Sequence, residues 1–144
     1  MDDVRVYMSD PSITIDFQST VLDTVKLMRD NHVGSILVTE NGEITGIFTE
    51  TDLLRKVAAE GHALESIKLG SVMSKPLVSI DADSSMVAAF LMMQQRNIRH
   101  LGVRENKKTV GVISIKDIAN YYVNKFNKKS DKKPGKAGEG ESGN

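Results

Sequence analysis

Two short phrases in this chain carry the residue types that recognise a phosphorylated ligand, "GIFTETD" from Gly46 to Asp52 and "GVISIKD" from Gly111 to Asp117. Each sets a glycine, a hydroxyl residue and an aspartate in the same register. Glycine lets a ligand or a neighbouring backbone approach closely. A strand that turns directly into a helix aims free N–H groups and the positive end of the helix dipole at one point, which suits phosphate. Thr49, Thr51 and Ser114 can add hydroxyl donors, Lys116 adds a cation, and ionised Asp52 and Asp117 are acceptors. Thr, Ser and Asp are also the residues preferred at helix starts where nothing binds, so capping stands beside ligand binding as a reading of both phrases.

The repetition extends well beyond the phrases. A shift of 65 residues, without a gap, aligns Met8-Ser9-x-Pro11 with Met73-Ser74-x-Pro76, Ile15-Asp16 with Ile80-Asp81, Met28 with Met93, Val38 with Val103, and Glu40-Asn41 with Glu105-Asn106. Residues from about 4 to 53 therefore repeat as 69 to 118, joined by Leu54 to Lys68, as duplication of one supersecondary unit requires. Two such copies, each with an exposed apolar face, are expected to pack face to face.

Within a copy the hydrophobic period changes in order. The prolines predict extended chain, and "SITI" and "LVSI" read as short strands. Thr20-x-x-Asp23 opens a helix to about Asn31 with Val21, Val25 and Met28 on one face; its counterpart runs from Ser85 to about Gln95. "SILVT" and "ITGIFT" around "ENGE" predict a hairpin, matched by "HLGV" and "TVGVIS" around "ENKK". The last strand runs into a helix from Asp52 to about Glu60, stopped near Gly61, and from Asp117 to about Phe126. The unit is strand, helix, strand, strand, helix, an α/β class.

This order, read over "VYMSDPSITI", "VGSILVTENGEITGIFTETDLL", "SVMSKPLVSI" and "RNIRHLGVRENKKTVGVISIKDI", resembles the CBS domain, and the duplicated form resembles a CBS pair, or Bateman module. The resemblance implies two pseudo-twofold-related β-α-β-β-α repeats packed sheet to sheet, repeat 1 with the start of the linker in residues 1–64 and repeat 2 in 65–125; the Lys/Gly-rich composition of 126–144, without apolar periodicity, predicts a disordered tail. It also implies clefts for an adenosyl effector (AMP, ADP, ATP or S-adenosylmethionine), with Asp52 or Asp117 taking hydrogen bonds from ribose hydroxyls, and a tendency to homodimerise.

By the family pattern the Asp117 cleft uses Ser114, Lys116, Gly111, Arg99 and His100, with Tyr7 and Ile13 from the lead segment of the first copy. The Asp52 cleft uses Thr49, Thr51, Gly46 and Ser35, with Ser71, Val72 and Val78 from the second. Arg99 is a permanent planar cation for phosphate, and His100 titrates near neutrality. The first copy has Gly34-Ser35 at those positions and Glu50 inside its phrase, so phosphate is expected in the Asp117 cleft, and a less charged adenosyl group, or nothing, in the other.

Composition narrows the remaining classes. With no cysteine among 144 residues there is neither a disulfide framework nor a thiolate metal site, and an intracellular, cytoplasmic setting is expected. Three histidines without metal spacing predict no metal site. No apolar run approaches the roughly 20 residues of a membrane helix. Residues 1–124 carry 13 basic and 16 acidic side chains, so the folded part lacks a nucleic-acid surface; the last twenty residues are net +3, and any nucleic-acid contact is expected there. Met86, Phe90, Met92 and Met93 read as core or dimer interface. Nothing assembles a nucleophile, a base and an orienting group. The expectation is a regulatory binding module that signals to a partner protein and has no catalytic cofactor; the alternative is a ligand-free structural dimerisation module whose basic tail makes the contacts.

Overall fold

The computed structural model of the chain describes residues 3–10 and 13–131. A short helix α1 (Val4–Tyr7) leads β1 (Thr14–Asp16), α2 (Val21–Asp30), β2 (Ser35–Glu40) and β3 (Glu43–Thr49). Helix α3 starts as an α-turn at Glu50–Asp52 and continues as a π-helical stretch over Leu53–Ala58. The second copy has a 3-10 turn, Leu69–Ser71, where the first has α1, and then β4 (Ser79–Asp81), α4 (Met86–Arg96), β5 (His100–Glu105), β6 (Lys108–Ser114) and α5 (Ile115–Asp131). Two three-stranded sheets result, ordered β1-β2-β3 and β4-β5-β6, each with a parallel first pair and an antiparallel second pair. Among the described residues no helix is long and apolar enough to cross a membrane.

Local chemistry accounts for the element boundaries. Thr20 Oγ1 accepts from Asp23 N at 3.1 Å and Ser85 Oγ from Ala88 N at 3.0 Å, so both first helices begin on a side-chain cap. Asn41 and Gly42 have φ of 53° and 82°, and Asn106 and Lys107 have 52° and 66°, the paired positive values of a type I′ hairpin turn. A register irregularity follows Val38 in one sheet and Val103 in the other, the same position in both copies.

The copies are joined by exchange of their lead segments. Ser9 N donates to Val112 O at 2.8 Å and Val112 N returns a bond to Ser9 O at 2.9 Å. Ile47 and Ser74 make the equivalent pair, at 2.9 and 2.8 Å, and Leu77 N continues it to Thr45 O. Each lead segment thus lies along the last strand of the other copy. Their apolar residues follow: Val4 is buried in a core with Ile80, Met86, Met93, Leu101 and Ile113, while Leu69, Val72 and Met73 join Val21, Met28, Val38 and Phe48.

The glycine that opens each phrase makes this approach possible. A Cβ at Gly46 would lie 2.6 Å from Ser74 O, and one at Gly111 would lie 2.7 Å from Ser9 O. Of the two reasons for a glycine, ligand or backbone, the neighbouring backbone is the one in contact.

Three boundaries differ from the sequence expectation. The first strands hold only three residues each, and Pro11, placed in extended chain, lies outside the described residues. The third is α5, which continues to Asp131, past residue 126 where the tail is expected to begin. Lys125 Nζ donates to Tyr121 OH at 3.2 Å and sits 5.5 Å from that ring's centroid, a contact one turn apart that favours helix beyond the core. Residues 132–144 of the expected tail lie outside the described residues.

Because backbone atoms stand in the way, Gly46→Ala and Gly111→Ala are each expected to destabilise the fold by about 1–3 kcal/mol in urea unfolding. Gly42→Asn, at a turn with open space around it, is expected to stay within about 0.5 kcal/mol of the parent.

Candidate adenosyl-binding site

Strand register gathers the residues around Asp117. His100 is paired with Ser114 across β5 and β6, and Ile115 N donates to the carbonyl of Arg99 at 2.9 Å, so Arg99 and His100 sit beside the start of α5. Ser114 N donates to Asp117 Oδ2 at 2.8 Å while Asp117 N donates to Ser114 Oγ at 3.2 Å, a reciprocal capping pair. Asp117 Oδ1 has no hydrogen-bond partner among the described residues. The side chains of Arg99 and Lys116 are exposed, and neither makes an ion pair among the described residues. Tyr7 comes from the exchanged lead segment and packs edge-on to Tyr121 of α5, with ring centroids 4.8 Å apart.

The first copy has the same frame and different chemistry. Ser35 pairs with Thr49, and Glu50 N donates to Gly34 O at 3.1 Å. The Glu50 side chain lies over Gly34, where a Cβ would be 2.8 Å from Oε1. A carboxylate therefore stands near the residue that corresponds to Arg99. Asp52, only 4% exposed, is fully engaged: Oδ2 accepts from Thr49 N and Thr49 Oγ1, and Oδ1 accepts from Ser74 Oγ at 2.9 Å and is 3.1 Å from Lys56 Nζ. Thr51 is exposed on the first turn. Sequence reasoning missed Lys56 and Ser74; the i, i+4 spacing of Asp52 and Lys56 on one helix was the available signal.

Two apolar residues sit on their own copy's core: Ile13, expected beside Asp117, packs on the first-copy cluster, and Val78, expected beside Asp52, packs on the second. A separate pocket of about 350 Å³, lined by Phe17, Gln18, Glu40, Lys68, Ser71 and Lys75 among others, lies near the C-terminal end of β2, away from Ser35 and Asp52. Among the described residues no group of His, Cys, Asp or Glu could hold a metal ion.

A family model, the CBS domain, matches residues 2–59 and again 69–124. The chain belongs to the CBS-domain family. Among curated CBS proteins it is 35% identical over 104 residues to the CBS domain-containing protein CBSX3, mitochondrial, of Arabidopsis thaliana, covering 69% of this chain and 50% of that protein. The chain thus spans half the length of that relative. Among solved CBS structures, the hexameric CBS-CP12 protein from bloom-forming cyanobacteria is 32% identical with a TM-score of 0.75, over 81% of this chain and 69% of that one. The CBS domain pair of protein MJ0100, in complex with 5′-methylthioadenosine and S-adenosyl-L-methionine, has a TM-score of 0.73 over 83% of this chain and 98% of that one. At 18% identity this last likeness is one of fold.

His100 joins the two CBS repeats electrostatically. Burial lowers its pKa, opposed by the carboxylates of Glu50, Asp117 and Asp52 and assisted by Arg99. The folded protein therefore disfavours the imidazolium, and His100 contributes stability above the ordinary imidazole pKa of about 6.5 that is lost as pH falls toward its lower folded value. Urea midpoints measured between pH 7.5 and 5 are expected to fall more steeply for the parent than for His100→Gln; parallel profiles would remove this assignment.

Proposed function

We propose that this CBS pair is a regulatory module that binds one adenosyl ligand in the Asp117 cleft and passes its bound state to a partner protein, without catalysing a reaction. The carrying observation is the carboxylate of Asp117, which caps α5 through Oδ2 and leaves Oδ1 without a partner among the described residues, beside the cations of Arg99 and Lys116. A carboxylate oxygen in that state can accept from ribose hydroxyls, and the helix start and cations suit phosphate. The adenosyl compounds in the MJ0100 complex support this ligand class. The cysteine-free sequence supports an intracellular setting.

Signalling follows from the exchange. The proposed cleft is bounded by β6 and α5 of the second repeat and by the lead segment of the first, so a ligand that touches both has different affinities for different arrangements of the two repeats. A partner that distinguishes those arrangements reads the ligand.

The outer face of α4 and α5 supplies the surface for a second copy of the chain. Val87, Phe90 and Leu91 on α4 and Tyr122, Val123 and Phe126 on α5 are exposed, Phe126 by 73%. The exposed residues of α2, Asp23, Lys26, Arg29 and Asp30, are all charged, and the counterparts of Val87 and Phe90 there, Leu22 and Val25, are half-buried. We propose a homodimer with these apolar helices at its interface, in keeping with the assembled state of the hexameric CBS-CP12 relative.

Isothermal titration with AMP, ADP, ATP and S-adenosylmethionine is expected to give micromolar binding to the parent. Asp117→Asn keeps an acceptor for the cap and should weaken it at least about tenfold. Arg99→Ala should weaken the phosphorylated ligands about tenfold and spare S-adenosylmethionine. Silence of the parent toward all four would defeat the proposal. Leu91→Glu combined with Phe126→Glu is expected to convert the dimer to a monomer in light scattering while far-UV circular dichroism stays unchanged.

A further inference from the structure

The two aspartates of the repeated phrase differ in how much of their hydrogen-bonding capacity is spent inside the protein. An ionised carboxylate offers about four lone-pair sites. At Asp52 all of them are taken, by Thr49 N, Thr49 Oγ1, Ser74 Oγ and Lys56 Nζ. At Asp117 one is taken, by Ser114 N. The contacts on Asp52 Oδ1 come from the side where the equivalent oxygen of Asp117 is open, and Lys56 Nζ and Ser74 Oγ are themselves 3.2 Å apart, closing a three-membered network.

The residues that make the difference occupy matched positions. The 65-residue shift places Tyr121 at the position of Lys56 and Ser9 at that of Ser74. Tyr121 turns its ring onto Tyr7 and is not an ammonium partner for the aspartate one turn earlier. Lys56 also sits in backbone that the second copy lacks: Ala59 N donates to Leu54 O and His62 N to Val57 O, five-residue spacings of a π-helical stretch, where α5 is an α-helix throughout. Such π-helical stretches within helices are frequent at functional sites.

We propose that Lys56, with Ser74, is an internal lock that fills the ribose-recognition position of the Asp52 cleft, so that the chain binds a single adenosyl ligand. The inference rests on the Asp117 reading only for the identity of the ligand class. The lock is ionic because Asp52 is buried and its charge needs a partner; in place of ligand hydroxyls the protein supplies an ammonium and a hydroxyl of its own. It is also mechanical, since Ser74 belongs to the exchanged lead segment of the second copy and Asp52 to α3 of the first. With Glu50 lying over Gly34 at the position that corresponds to Arg99, the ligand an unlocked cleft accepts is an uncharged nucleoside in preference to a nucleotide.

The test separates the two clefts by working in an Asp117→Asn background, with adenosine and AMP as probes. Asp117→Asn alone is expected to keep at most the weakened binding of its own cleft. Adding Lys56→Met and Ser74→Ala should restore one adenosine site per chain, with AMP at least tenfold weaker. Lys56→Met alone, at a side chain 43% exposed, provides the folded comparison if the combined variant unfolds, and should restore the same site more weakly. Adenosine binding at parental affinity by Asp117→Asn with Lys56 intact would overturn the lock, as would the absence of an added adenosine site in every folded Lys56 variant. Silence of the parent protein toward adenosyl ligands would instead defeat the Asp117 reading, while a Lys56→Met gain of binding would uphold the lock on its own.

Discussion

The reciprocal pairing of each lead segment with the last strand of the other copy is the constraint on which the molecule depends. It consists of two backbone hydrogen bonds between Ser9 and Val112 on one side, and on the other of two between Ser74 and Ile47 with a third from Leu77 to Thr45. The hydrogen bonds themselves contribute modestly. What they position is larger: Val4 and Leu69, both fully buried, complete the core of the copy to which they do not belong in sequence. A glycine opens each phrase because the partner backbone passes within van der Waals distance of it. The same passage puts Ser74 against Asp52.

On this symmetric frame the chemistry has diverged. Both aspartates cap a helix in the same way, and both strand registers bring residues 34–35 and 99–100 to the helix start. One position then carries glycine beneath a glutamate, the other arginine; one aspartate is sealed by an ammonium, the other retains capacity. A buried carboxylate without compensation is costly, so the first copy has a stabilised structural aspartate, at the expense of its openness. The second keeps openness because its aspartate is less buried. The outer faces diverge in parallel, polar over α2 and apolar over α4 and α5. His100 responds to carboxylates of both copies and so lies where the two environments meet.

Much of this was legible in the sequence because it is local. The hairpins were readable at "ENGE" and "ENKK", the helix starts at Thr20 and Ser85, and the duplication at one fixed shift. The contrast of Gly34 and Glu50 with Arg99 was also visible by aligning the copies. What escaped depends on contacts between residues distant in sequence. Lys56 and Ser74 are 18 residues apart and meet only because the lead segment crosses over. The π-helical stretch has no local composition that distinguishes it from an α-helix, and α1 is too short for a periodic signal. The helical continuation to Asp131 runs through lysines and asparagines that read as tail until Tyr121 and Lys125 are seen to pack one turn apart.

The exchange also sets an order in time. Arg5 and Glu105, joined at 2.6 Å, are 100 residues apart, and Val4 needs a core that includes Ile113. As the chain leaves the ribosome, Val4 waits for the second repeat to be made before it finds cover. Neither copy can close early, and closing such long loops is slow. A nascent first repeat therefore exposes the strand edge that the second will later occupy, and a neighbouring nascent chain carries the same complementary segment. Polysome crowding, rather than dilution in the finished state, is the condition under which this architecture is most exposed to pairing with the wrong molecule.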